Sequence, residues 1–390
     1  MFDVASVPPI HCRPGCLAEI GQIAASIAPA SDVLLIGDPW LNRNGVTGRV
    51  VQDLEANGLS VWSYYDLAGE PTASDVRTAT EMARGTALVI GIGGGSALDI
   101  AKTAAACGKS CEGSDPIAYA CAARPLPDQW LPKILVPTTA GTGAESSSTA
   151  IFSGEDGRKL WLWGEQTKAE RVLLDPELTL TLPPSVTAAC AMDAFVHAFE
   201  AATNRRTHAG AQLYAHSALR LIAPALPRAV ADPQDLDART DLLLGACYAG
   251  VAIDNCGTAV AHMISHALAG LVPVSHGLAT ALAFEATLPW LVDTPTPDMN
   301  AAAHALGLGG TTDLPGYTTH LMDAADMARR LPFEKDAVSL DAFDAAMRAP
   351  ENAPMREATA RPISEADTRM FATQLLSLAR DSHAPKALTE

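Results

Sequence analysis

A change of rhythm at Leu182-Pro183-Pro184-Ser185 constrains this 390-residue chain more than any other feature. Before it, short apolar runs alternate with longer amphipathic stretches; after it, only a 3.6-residue periodicity continues. Residues 32–37, 59–65, 87–93 and 133–137 read as strands, and residues 41–57, 74–84 and 96–107 as helices. Such alternation builds βαβ units around a largely parallel sheet covered by helices. Two apolar runs flanking Gly154-Glu155-Asp156-Gly157 predict an antiparallel hairpin over 149–163. Pro184 followed by Ser185 is a good helix opening. The expected architecture is a Rossmann-like α/β nucleotide-binding domain over 1–183, followed by an all-α domain over 184–390. A chain of this length can bury two cores. The polar segment from Asp381 is expected to fray.

The third strand ends in Gly91-Ile92-Gly93-Gly94-Gly95-Ser96, and a helix carrying Asp99 and Lys102 follows. Glycines let a backbone approach a phosphate, and a helix N-terminus offers free N–H donors and the positive end of its dipole. The run departs from GxGxxG at its last position, where Ser96 stands. A second loop, Pro137-Thr138-Thr139-Ala140-Gly141-Thr142-Gly143-Ala144-Glu145, ends the fourth strand, and ligands of open α/β sheets gather at that edge. Gly93, Gly94, Gly95, Ser96, Thr138, Thr139 and Thr142 are therefore candidate nucleotide contacts. Asp38, just after the first strand, suits an adenosine ribose diol and would repel a 2′-phosphate, favouring NAD over NADP. Its plainer role is to cap the helix opened by Pro39.

In the helical half, Asp193 and His197 stand four residues apart, and so do His262 and His266. His276 lies just past a Pro-containing turn. All sit among Ala, Leu, Ile, Val, Met and Phe, where unpaired polar groups are costly. One divalent metal ion explains the cluster economically. On spacing alone either His262 or His266 could reach the ion. His11, His208, His216, His304, His320 and His383 lack such clustering and are expected at the surface.

A formal charge of −17 argues against nucleic acid or an anionic membrane as partner. No apolar run is long enough to cross a bilayer, and the N-terminus lacks the pattern of a signal peptide. The eight cysteines, at 12, 16, 107, 111, 121, 190, 247 and 256, contain no CxxC. They read as reduced thiols of a cytosolic protein, and the four-residue pairs 12/16 and 107/111 make poor zinc half-sites.

With these motifs together, the chain resembles the iron-containing (group III) alcohol dehydrogenases over most of its length. The resemblance rests on Gly93, Gly94, Gly95 and Ser96 with Asp99 and Lys102, the 137–145 loop, Asp193/His197, and His262/His266/His276. It implies an active site in the cleft between an α/β and a helical domain, NAD as cofactor, and Fe(II) ahead of Zn(II) as metal. Carried over, the ligands are Asp193, His197, His262 and His276, while His266 lies beside the nicotinamide. Asp99 and Lys159 fall at cofactor-side positions. A cytoplasmic homodimer acting on a small alcohol or aldehyde goes with it. Departures occur at Ala267, where the family often has Pro, and around Asn352, Pro354 and Arg356. Both bear on substrate identity.

The reaction expected is metal-dependent hydride transfer between an alcohol and its aldehyde or ketone, with His266 relaying a proton. The same superfamily offers a glycerol-dehydrogenase-like or dehydroquinate-synthase-like alternative, which needs a polyol site rich in Lys, Arg and Asn. The 251–269 segment, read as one helix, offers only Asp254 and Asn255. A metallohydrolase would account for the histidines but not for the glycine loop or Asp38. The substrate pocket is expected near 142–147 and 254–257, with Arg356 available for one anionic group.

Overall fold

The computed structural model describes residues 2–109 and 115–380. The first half runs β1 (Ile10–Cys12), α1 (Ile20–Ile27), β2 (Asp32–Gly37), α2 (Pro39–Arg43), α3 (Val46–Ala56), β3 (Ser60–Tyr64), α4 (Ala73–Ala83), β4 (Leu88–Gly93), α5 (Gly95–Gly108), β5 (Lys133–Pro137), β6 (Thr149–Ser153), β7 (Lys159–Trp163) and β8 (Arg171–Leu174). Six strands form one parallel sheet in the order β1-β8-β5-β4-β2-β3, while β6 and β7 pair antiparallel as a separate hairpin. The α/β class, the parallel sheet and the hairpin agree with the sequence pattern.

β4 and β5 are buried at every position, and β2 at all but its first residue. Their unbroken Val-Leu-Ile runs suit central parallel strands covered on both faces. Alternate residues of one strand feed two cores, as the pleat requires. Val33 and Leu35 join Ile20, Val50 and Leu54 under α1 and α3. Leu34 and Ile36 join Val76, Leu98 and Ala104 under α4 and α5. The second cluster continues without a break to Phe195, Phe199, Phe284 and Phe371 in the helical half.

That half comprises α6 (Pro184–Thr203), α7 (Ala209–Ala231), α8 (Leu236–Cys256), α9 (Val260–Ala269), α10 (His276–Val292), α11 (Pro297–Ala305), α12 (Leu314–Ala324), α13 (Leu340–Arg348), α14 (Ala353–Ala358) and α15 (Glu365–Leu376). Among the described residues no single helix is long and apolar enough to cross a membrane.

Four sequence expectations need correction. The 41–57 helix is two, broken at Gly45 with φ 82°. The 251–269 helix is also two, α8 and α9, bent by 97° after Gly257. His276 stands at the start of α10 instead of in a loop. β1 and β8, of three and four residues, were too short to register as apolar runs. The segment from Asp381, with His383, and Cys111 lie outside the described residues.

Candidate active site

The sheet reverses its winding between β2 and β4, neighbours that the chain leaves in opposite directions. Ligands of open α/β sheets bind outside the strand ends at such a point. The amide of Asp38, at the end of β2, donates to the Ile92 carbonyl at 3.2 Å. Beside it Gly93 has φ 152°, and a Cβ there would stand 2.8 Å from that of Ala97 and 3.2 Å from that of Asp38. The second loop closes on this turn. Thr138 N donates to Gly93 O at 2.9 Å, and a Cβ on Gly95 would meet Thr142 Cγ2 at 2.9 Å. Thr139 lies 3.7 Å from the equivalent point on Gly94. Asp38, residues 93–96, Thr138, Thr139 and Thr142 thus form one cradle, and the start of α5 carries no side-chain cap. Its first amides are free to meet an anion.

Asp38 Oδ1 accepts from Trp40 N at 2.7 Å and so caps α2. One turn into α5, Asp99 Oδ2 accepts from Ile151 N at 3.1 Å, and its buried Oδ1 has no partner. Burial pushes this carboxyl up to about 6. Lys102 is fully buried and donates to Ala144 O at 2.7 Å, to Ser147 Oγ at 3.3 Å and to Thr149 O. It rivets the second loop and the hairpin to α5. Lys159 opens β7, pairs with Glu70, and lies 3.3 Å from Ser153 Oγ.

Across the cleft, α6 presents Asp193, His197 and Glu200 on one face. His262 comes from α9 and His276 from the first turn of α10. Gly277 makes the last placement possible: any Cβ there would sit 2.3 Å from the Ala189 carbonyl of α6. Asp193 Oδ1 lies 3.5 Å from both His262 Nε2 and His276 Nε2, and Asp193 Oδ2 is 3.8 Å from His197 Nδ1. The ligand atoms of Asp193, His262 and His276 all fall within 4.8 Å of one another. The His197 ring stacks on His262 with centroids 4.2 Å apart.

Three atoms test whether a metal fits. Asp193 Oδ1, His197 Nδ1 and His262 Nε2 are buried without a hydrogen-bond partner. Each such orphan costs about 1–3 kcal/mol, and a cation held by Asp193 and His262 would satisfy two of them. His197, expected as a ligand, falls outside the close donor group of Asp193, His262 and His276.

Sequence reading missed Glu200. Its Oε2 receives Ala259 N at 2.6 Å and meets His262 Nδ1 at 2.7 Å, while its Oε1 receives Ala261 N at 2.7 Å. The contact with this carboxylate turns the Nε2 edge of His262 toward Asp193 and the cluster. The signal was present, since Glu200 lies seven residues after Asp193 on the same helical face.

Burial alone would raise Asp193, yet His197, His276 and His262 hold it far below the ordinary carboxylate range. Burial takes His197 down to about 3. It would lower His262 as well, but Glu200 and Asp193 carry that ring up to about 9. His266, pushed well below its usual value by burial and then by His276 and His262, stays neutral. Its ring lies 5.3 Å from that of His276 and 6.3 Å from that of His262. It falls outside the close donor group of Asp193, His262 and His276.

A cavity of about 460 Å³ opens onto Asp193 and His276, lined also by Thr142, Val186, Leu278 and Met327. No Lys or Arg lines it, so a cation-rich polyol site is missing from this cavity. Asp254 is not a substrate group. It accepts from Ser148 N and Oγ at 2.6 Å and pairs with Lys168 at 3.0 Å. Asn255 is taken by Ala5 N at 2.8 Å, and Arg356 donates to Met347 O at 3.3 Å. Of the histidines expected at the surface, His304 and His320 are exposed. His11, His208 and His216 are half-buried, and His216 Nε2 is enclosed without a partner.

Residues 8–176 match the family described as iron-containing alcohol dehydrogenase, and residues 187–347 match the C-terminal domain of the Fe-containing alcohol dehydrogenase family. A long-chain-alcohol dehydrogenase of Geobacillus thermodenitrificans is 35% identical over 280 residues, 71% of each chain. A choline dehydrogenase of Bacillus subtilis is 31% identical over 272 residues, 68% of this chain and 67% of the other. In fold, a sulfoacetaldehyde reductase from Bifidobacterium kashiwanohense, solved with NAD+, superposes with TM-score 0.87 at 22% identity, covering 97% of this chain and 99% of that one. These matches span both halves of the chain and agree with a cradle and a metal pocket facing one cleft. The chain therefore belongs to the iron-containing alcohol dehydrogenase family, metal-dependent oxidoreductases of alcohols and their carbonyl counterparts.

Proposed function

We propose that this chain interconverts a small alcohol and its aldehyde or ketone at the cleft between the 93–96 turn and the 193–276 cluster. The reading divides the chain into a nucleotide domain, 1–183, and a metal and substrate domain, 184–390. The close approach of the Asp193, His262 and His276 donor atoms, with Asp193 Oδ1 and His262 Nε2 buried and unpartnered, carries it. Asp193, His197, His262 and His276 would hold a divalent ion, Fe(II) ahead of Zn(II). Bound there, the ion supplies Lewis acidity toward the substrate oxygen, and the nicotinamide supplies the hydride acceptor.

The chain's own residues do the rest. Glu200 fixes the His262 tautomer. The free amides of α5, with Ser96, Thr138, Thr139 and Thr142, receive the phosphates and nicotinamide ribose of NAD. Asp38 takes the adenosine ribose diol while still capping α2. Asp99 offers its unpartnered Oδ1, and Lys159 its ammonium, to the cofactor. His266, neutral and outside the donor group, accepts the hydroxyl proton as the alcohol is oxidised and returns it in the reverse direction.

The apolar lining of Val186, Leu278 and Met327 helps exclude water from the cleft. The relatives act, by name, on alcohols as unlike as long-chain alcohols and choline, so substrate choice lies in this chain's own lining. A homodimer in the cytoplasm completes the reading. Loading the protein anaerobically with Fe(II) and following nicotinamide absorbance across a panel of neutral, anionic and cationic alcohols tests it. No turnover with any alcohol or aldehyde, at full metal occupancy, would overturn it.

A further inference from the structure

The Glu70–Lys159 pair joins a loop to the hairpin from positions 89 residues apart in sequence. Backbone pairing holds the two together. Ser153 N donates to Pro71 O at 2.8 Å, and Thr72 bridges Ser153, so the loop carrying Glu70 lies along β6. The hairpin is in turn fixed to the nucleotide side by Ile151 N on Asp99 and by Lys102 on Thr149 O. The Lys159 charge is felt by Asp99, His266 and His276. Glu70 acts on His276 as well. The pair therefore sits on a hairpin that is tied directly to α5, the helix opened by the glycine turn. Lys159 is the less exposed partner, with its side chain 23% accessible against 55% for Glu70.

We propose that Glu70 competes with the cofactor for Lys159. It holds the ammonium when the cleft is empty and takes it back as cofactor leaves, so it loosens cofactor binding and speeds release. This rests on the reading above that Lys159 contacts NAD. A half-exposed ion pair is a weak competitor, so the expected effect is a tuning of affinity and not a block.

The test titrates NADH fluorescence into the metal-loaded wild type, Glu70→Gln, Lys159→Met and the double variant, with NADH release followed by stopped flow. Glu70→Gln should tighten NADH binding about two- to fivefold and slow release in proportion, with metal content unchanged. The gain should shrink at high salt, where the pair is screened. Lys159→Met should weaken binding, and on that background Glu70→Gln should have no further effect. An equal gain from Glu70→Gln with and without Lys159 would show direct repulsion of the cofactor and overturn the competition. So would unchanged affinity in Glu70→Gln when Lys159→Met still weakens binding. Unchanged affinity in Lys159→Met would instead overturn the assignment of Lys159 to the cofactor.

Discussion

The nucleotide cradle and the metal pocket face one cleft but are made of different materials. The cradle is mostly backbone: a turn at Gly93, open amides at the start of α5, and a second loop riveted by Lys102. The pocket is made of side chains from α6, α9 and α10, and three of its polar atoms are left unsatisfied. A cradle of main-chain donors tolerates the loss of one side chain, because the remaining amides still point at the ligand. A chelate does not, since each donor shares the same ion. Substitutions in the pocket should therefore be severe and those in the cradle graded.

The sharpest break of that contrast is His262→Ala or His276→Ala. Either should abolish turnover and leave well under one equivalent of metal, read by elemental analysis after anaerobic loading. Full occupancy in both variants would show that the cluster is not the ligand set. Next comes His266→Gln, which should keep its metal and its NADH affinity while kcat falls on the order of 100-fold and the pH–rate profile changes shape. Metal loss as complete as in His262→Ala would move His266 into the coordination shell.

Glu200→Gln separates a ligand from the group that orients it. It should weaken metal affinity about 10- to 100-fold, measured by chelator competition, without removing any donor. An unchanged affinity would make Glu200 only a clamp for the Ala259 and Ala261 amides.

In the cradle, Asp38→Asn retains an oxygen to cap α2 and removes only the charge. It should improve NADP use relative to NAD by roughly tenfold at little change in melting temperature, whereas Asp38→Ala should lose the cap as well, about 0.5–2 kcal/mol. If Asp38→Asn leaves cofactor preference untouched, the carboxylate serves the helix alone.

What sequence made legible follows the same division. The glycine turn and the 137–145 loop are each local, so residue order alone placed Gly93 and Ser96 in one turn and Thr138 in the other, and the β4–β5 pairing then joined them. Asp193 and His197 were equally readable, one helical turn apart. Pairings formed only by the fold were not: Glu70 with Lys159, Lys168 with Asp254, and Glu200 with the bent start of α9. Asp254 illustrates the cost. It seemed free for substrate in sequence, yet in the fold its carboxylate is consumed by Ser148 and by a lysine 86 residues upstream. β1 and β8 escaped because strands of three and four residues carry too little periodicity to stand out.

The gentlest test concerns Glu145, at the end of the second loop, where the cradle leans on the helical half. It is buried, and burial is the main cause that raises its carboxyl from 4.5 to about 7, against the pull of Lys102. A folded-state value above the unfolded one favours the fold while the group is neutral. That contribution is complete below pH 4.5 and is lost as pH climbs through about 7. Glu145→Gln cannot titrate, so the stability of the variant relative to wild type should rise across this window and level off above it. The gain should be at most about 3 kcal/mol, a rise of a few degrees in melting temperature. Thermal melts of both proteins at intervals from pH 4.5 to 8.5 read the difference directly. A constant difference over that range would mean that Glu145 is already ionised at pH 5, held by Lys102 despite its burial.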